Sequence, residues 1–218
     1  MPEHYFTEQS AAAHRPGIVH VVLPDLHLRL ETDSGMFSPG RLDTGTRVLL
    51  ETVPAPPPSG DVLDLGCGYG PIALVMAARS AAAGAQGATV WAVDVNARAL
   101  ELCERNAATA GLRNVRAVRP EEIPADVTFG AIWSNPPIRI GKLALHDLLT
   151  RWLGRLDPAG AAYLVAQRHL GADSLQRWLA GEGWAAARIT SRSAYRVLRV
   201  TGPPRLPHTG GQPAEVTR

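Results

Sequence analysis

The sequence predicts an α/β protein built on a doubly wound, mostly parallel sheet, with an antiparallel strand at its C-terminal end and a small β-hairpin in front. Three observations carry this. From residue 62 onward, short apolar runs alternate with segments of helical period, as a parallel sheet with crossover helices requires. The first of these runs passes straight into a glycine-rich turn that opens a helix, DLGCGYG at 64–70. The last two runs, 185–190 and 195–200, are close enough in sequence to pair antiparallel.

The elements follow in order. Residues 18–23 (IVHVVL) and 26–31 (LHLRLE) show apolar alternation and meet at Pro24-Asp25, which predicts the hairpin. A helix is expected at 43–53, with Asp43 or Thr44 as its cap and Pro54 as its stop. PAPPPSG, 54–60, is a stiff connector. Then come a strand at 62–66, a helix at 70–83, a strand at 89–94, and a helix at 96–110 closed by Gly111. Strands at 115–119 and 129–134, a helix at 142–156, a strand at 161–167 and a helix at 172–181 lead to the final strand pair. The expected organisation is an N-terminal extension with the hairpin at 1–36, the main domain at 37–202, and a disordered tail at 203–218 that is polar and rich in Pro and Gly.

At 218 residues, 45% hydrophobic and 19% charged, the chain has the size and composition of one soluble domain. No apolar run approaches the roughly 20 residues of a membrane-spanning helix, and the first residues lack the order of a signal peptide. Cys67 and Cys103 make no metal-ligand or disulfide framework, which points to a reducing cytoplasm and no metal. The formal net charge of +2 is unevenly spread. Residues 1–150 carry 12 basic and 16 acidic side chains, and residues 151–218 carry 10 basic and 4 acidic. A basic C-terminal third attracts a polyanion, RNA being the candidate. Lys142 is the single lysine among 21 arginines.

The glycine loop separates one class of ligand from another. A dinucleotide fingerprint places its third glycine three positions after the second, where this chain has Pro71. Here Gly66, Gly68 and Gly70 are spaced by two, Cys67 lies between the first pair, and Asp64 precedes them by two. That arrangement suits a ligand without pyrophosphate, whose cationic amino-acid portion Asp64 can orient. Asp94, at the end of the next strand and followed by Val95, is placed to accept both hydrogen bonds of a ribose diol. Together these residues look like the S-adenosylmethionine site of class I methyltransferases.

The second feature is Ser134-Asn135-Pro136-Pro137-Ile138, at the end of the fourth parallel strand. Two prolines stop the ladder and stiffen the loop, so that Asn135 projects from the sheet edge. The lone pair of an exocyclic amine is delocalised into its ring and is a poor nucleophile. The Asn135 amide oxygen and the Pro136 carbonyl can each accept one N–H bond, pulling the nitrogen toward tetrahedral geometry. Positioning and preorganised dipoles then supply most of the acceleration, and no strong base is needed.

With MFSPGRLDTGTRVLLE ahead of the sheet, VLDLGCGYGPIAL, SNPPIRIGK and the terminal SAYRVLRV, the chain resembles the methyltransferase domain of the ribosomal-RNA small-subunit guanine-N2 methyltransferase family, from Phe37 to Val200. The resemblance implies a Rossmann-like methyltransferase sheet and the cofactor S-adenosyl-L-methionine. It implies that the pre-sheet segment folds over the cofactor, which makes Phe37, Asp43, Gly45 and Thr46 cofactor candidates. It places Arg139 and Lys142 at the rim, facing RNA phosphate or the target base. Two positions depart from the pattern. Ile138 stands where amino methyltransferases often carry an aromatic residue, and the third strand lacks its usual terminal acid or amide, leaving Glu121, Glu122 or a main-chain N–H to read the cofactor adenine. The expected activity is methyl transfer to a planar nitrogen, guanine N2 of ribosomal RNA first. The alternatives are a protein glutamine, DNA adenine or small-molecule substrate, or a non-catalytic RNA-binding scaffold.

Overall fold

The computed structural model describes residues 14–84 and 87–202. The tail expected at 203–218 lies outside the described residues. Strands β1 (Pro16–Val22) and β2 (His27–Asp33) pair antiparallel as the hairpin. The main sheet comprises β3 (Val62–Leu65), β4 (Val90–Val93), β5 (Val115–Val118), β6 (Phe129–Ser134), β7 (Leu156–Gln167), β8 (Ala185–Arg192) and β9 (Tyr195–Thr201), in the order β5-β4-β3-β6-β7-β9-β8. Neighbours from β5 to β7 are parallel, and β9 runs antiparallel between β7 and β8.

Helices α1 (Thr44–Thr52), α2 (Pro71–Ala82) and α3 (Ala97–Thr109) cover one face, together with the hairpin. Helices α4 (Lys142–Leu153) and α5 (Ala172–Gly181) cover the other. Strand alternation sorts the side chains. Val62, Ala92 and Trp133 enter the first layer, and Leu63, Leu65, Val93 and Ile132 enter the second. Both faces of β3 and β4 are therefore buried, which is why they read as continuous apolar runs. The exception within β3 is Asp64, fully buried on the α2 side.

Two boundaries differ from the sequence reading by three residues or more. Helix α4 stops at Leu153, and β7 begins at Leu156, five residues before the apolar run. Pro158 and Gly160 argue for a loop there, but the strand continues through a register shift between Phe129 and Ala131. A Cβ on Gly160 would come within 2.9 Å of the Phe129 carbonyl oxygen, so this glycine permits close backbone approach where the ladder slips.

The hairpin shares the main core. Val19, Val21 and Leu30 are buried with residues of α2 and α3. A buried side chain on α3 fastens it: Asn106 Oδ1 accepts from Glu31 N–H at 2.7 Å, and Asn106 Nδ2 donates to the carbonyls of Glu31 and Tyr69, each at 2.9 Å. The same amide thereby joins the hairpin to the glycine loop. Asn106→Ala is expected to lower the unfolding free energy by about 2–4 kcal/mol, because backbone groups of Glu31 and Tyr69 lose their partner. Urea denaturation measures this, and an unchanged midpoint would mean that the apolar face alone holds the hairpin.

Because β3 leads to β4 and β5 on one side and the chain then crosses to β6 on the other, the strand order reverses between β3 and β6. In open α/β sheets a ligand crevice forms outside the carboxyl ends of the strands at that point. The glycine loop follows β3 and Asn135 follows β6, so topology alone brings them together.

Candidate active site

The loop leaves the sheet gradually. Gly66 and Cys67 N–H both donate to the Val93 carbonyl, at 2.8 and 2.9 Å, before the chain turns into α2. Gly66, Gly68 and Gly70 take φ of +79°, +55° and +94°, a region open mainly to glycine. Their surroundings divide them. A Cβ on Gly66 or Gly68 would meet nothing within 4 Å, so those two front open space. A Cβ on Gly70 would lie 2.6 Å from Cys103 Sγ and 2.7 Å from Leu74 Cδ1, so that glycine serves packing. The Cys67 thiol turns inward; burial, then the neighbouring Cys103, pushes its ionisation far up, leaving its backbone as the part a ligand can meet.

Two acids brace this loop. Asp64 Oδ2 accepts from Ala73 N–H at 2.8 Å, standing in for the capping side chain that Gly70 lacks at the start of α2. Its Oδ1 is buried with no hydrogen-bond partner among the described residues, and burial raises the carboxyl well above the ordinary range. Asp94 Oδ2 accepts from Gly68 N–H at 2.9 Å, and its Oδ1 from Asn96 N–H at 3.0 Å. Burial raises its carboxyl too, against the backbone bonds from Asn96, Gly68 and Val95. Capping of α3 falls to Asn96, whose side chain accepts from Arg98 and Ala99 N–H, so Asp94 is not consumed there. Each Asp94 oxygen keeps a second lone pair for a ligand hydroxyl. An unpartnered buried carboxylate oxygen, an open glycine cradle and a strand-end acid fit a ligand that combines a cationic amino-acid portion with a ribose diol. Those are partners that S-adenosylmethionine can use: acceptors for its ammonium and ribose hydroxyls.

Across the switch point, the Ser134 hydroxyl donates to the Leu65 carbonyl at 2.6 Å and clamps the ends of β6 and β3 together. The half-buried Asn135 follows. Its Nδ2 donates to Asp43 Oδ2 at 2.9 Å and to Thr46 Oγ1 at 3.0 Å. Asp43 is the N-cap of α1, its Oδ2 also accepting from Thr46 N–H at 3.0 Å. Gly45 allows this crowding, since a Cβ there would stand 2.6 Å from the Tyr195 ring. Pro136 and Pro137 are buried. Pro137 (φ −74°, ψ +71°) forms an inverse γ-turn in which the Pro136 carbonyl accepts from Ile138 N–H at 2.8 Å. One lone pair of that carbonyl is thus committed within the loop. Ile138 packs against the α4 side of the core.

The remaining candidates are peripheral. Phe37 is 53% exposed, ahead of α1 and beside Ser38 at φ +54°. Arg139 and Lys142 are exposed in the segment after Asn-Pro-Pro, Lys142 opening α4. Glu121 is exposed and lines a shallow groove with Glu122, Arg151 and Arg155, while Glu122 accepts from Arg119 N–H at 2.6 Å. Ser134 and Tyr195 were not singled out from the sequence. Their signal lay in the quoted blocks, as the residue before Asn135 and the aromatic of SAYRVLRV. Among the described residues no cluster of three or more His, Cys, Asp or Glu could hold a metal, and no helix is long and apolar enough to cross a membrane.

Known proteins resemble this chain in sequence and in fold. The family model described as "Methyltransferase small domain" matches residues 27–199. An uncharacterised protein of Bacillus subtilis, YbxB, is 34% identical over 177 residues, covering 80% of this chain and 86% of that protein. Ribosomal RNA small subunit methyltransferase C of Shewanella amazonensis is 34% identical over 152 residues, which is 68% of this chain but 42% of that protein. A solved Thermus thermophilus 16S rRNA N2 G1207 methyltransferase, in complex with AdoMet and guanosine, superposes with a TM-score of 0.71 at 22% identity, over 86% of this chain and half of that one. The chain thus spans half or less of these two ribosomal-RNA methyltransferases.

Proposed function

This chain belongs to the methyltransferase small domain family and uses S-adenosylmethionine, and from that premise we propose that it methylates guanine N2 in ribosomal RNA. The observation that carries the reading is Asn135, held at the carboxyl edge of the sheet across the switch point from the glycine loop, with both amide N–H groups tied to Asp43 and Thr46. Its oxygen is therefore the end left for a substrate N–H.

The donor supplies an electrophilic methyl on a sulfonium. Asn135 Oδ1 accepts one N–H of the target amine and draws the nitrogen out of ring conjugation. One N–C bond forms as one S–C bond breaks, leaving a thioether, and the surplus proton on nitrogen passes to water. Asp94 and the loop amides hold the ribose side, and the orphaned Asp64 oxygen draws the amino-acid side. The residues of the chain bind and orient, and acceleration comes from proximity and fixed dipoles.

Guanine, rather than adenine, is the base named for the Thermus thermophilus methyltransferase on which this chain superposes. An extruded base is required for reach, so a loop or single-stranded site in RNA is the expected target, with exposed Arg139 and Lys142 on phosphate. The test is incubation with methyl-labelled S-adenosylmethionine and either naked ribosomal RNA or small subunits, then nucleoside mass spectrometry. N2-methylguanosine is expected. Label in N6-methyladenosine, in protein or in no fraction would refute the assignment.

A further inference from the structure

A carboxamide placed to receive a substrate N–H works in one orientation only. Turned by 180° about its last bond, Asn135 would present an NH2 to an amine and repel it. Local sequence does not determine that choice, and neither Pro136 nor Pro137 carries a donor or acceptor in its side chain. The contacts of the amide decide it. Asn135 Nδ2 lies 2.9 Å from Asp43 Oδ2 and 3.0 Å from Thr46 Oγ1. A carboxylate only accepts, so the nitrogen must face it and the oxygen must face away.

Asp43 is itself held. The oxygen that receives the Asn135 amide also receives Thr46 N–H at 3.0 Å, at the N-cap of α1, where the helix end favours negative charge. Val48, Leu49 and Leu50 bury the helix behind it, and the Tyr195 ring closes over Gly45 beside it. Nothing in this arrangement requires a contact with residue 135 for capping alone. The cap bond is complete without it.

We infer that Asp43 is a positioning residue of the methyl transfer: its hydrogen bond sets which end of the Asn135 amide meets the target nitrogen. The inference rests on the transfer proposed above. It also explains why position 135 carries an amide. An aspartate there would set two carboxylates in contact, and one would be forced to take a proton or swing away.

The test is a pair of substitutions at position 43, D43S and D43N. A serine N-cap still accepts Thr46 N–H but is too short to hold the Asn135 amide, whereas asparagine can keep an oxygen at the point where Asp43 Oδ2 receives both bonds. Two readouts are taken at neutral pH on each, the urea unfolding midpoint, which needs no activity, and kcat on the RNA the wild type methylates. S-adenosylhomocysteine affinity is followed as a control. In D43S the midpoint stays near wild type while kcat drops on the order of 10-fold, because the amide is free to turn. In D43N the acceptor is retained and kcat recovers most of that loss. Wild-type kcat in D43S overturns the inference. A loss in D43S that D43N fails to restore overturns it as well. If the wild type binds S-adenosylhomocysteine but methylates no RNA, the transfer reading itself fails, and that is seen before any variant is compared.

Discussion

Asn135→Ala is expected to lower turnover by on the order of 100-fold or more while S-adenosylhomocysteine binds with unchanged affinity. The amide lies at the strand end facing the target side, and its contacts run to Asp43 and Thr46 rather than to the glycine loop. Removing it takes away an acceptor whose value rises as the target nitrogen gains positive character, so the loss falls on kcat. It also leaves Asp43 and Thr46 with solvent in place of an amide, a small cost at a half-buried site. Isothermal titration with S-adenosylhomocysteine, paired with single-turnover methylation, separates the two quantities. An equal loss in both would show that Asn135 supports the cofactor pocket and does not meet the substrate.

Asp94→Ala is expected to act in the opposite sense, weakening S-adenosylhomocysteine binding by on the order of 100-fold before it touches the transfer step, since two hydrogen bonds to a charged acceptor are lost. The structure adds a second route to that loss. Asp94 receives Gly68 N–H and Asn96 N–H, so its removal frees the loop that shapes the cradle as well as the ribose contact. Asp94→Asn separates the routes, because an amide oxygen can keep one backbone bond while the charge is gone. A dissociation constant unchanged in Asp94→Ala would remove this residue from the cofactor site.

Much of the architecture was legible from the chain alone. Strands buried on both faces are largely apolar, so β3, β4 and β6 stood out between helical segments, Asp64 and Ser134 apart. The glycine spacing and the strand-end acid were equally plain, since positive φ and open approach leave few residue choices. The start of β7 was hidden because Pro158 and Gly160 are loop formers by propensity, and the slip in register that admits them is a property of two strands together.

The candidate site divides along the same line. Asp64, Gly66, Gly68, Asp94 and Asn135 could be named because each lies near or just past the end of an apolar strand, and a doubly wound sheet sends such ends to one edge. Asp43 was legible as a candidate cap of α1, and entered the site only through a family resemblance, as a residue near the cofactor. Its bond to Asn135 spans 92 positions, and the tie from Asn106 to Glu31 spans 75. Such contacts have no local signature. They exist because the strand order reverses at β3 and β6, which carries the cap of α1 over the end of β6 and sets α3 against the hairpin. Residue types and periodicity alone determined the sheet, its helices and the chemistry at the strand ends. Only the folded chain decided which of those side chains touch, and so which end of Asn135 is free to act, because a hydrogen bond depends on distance and direction in space.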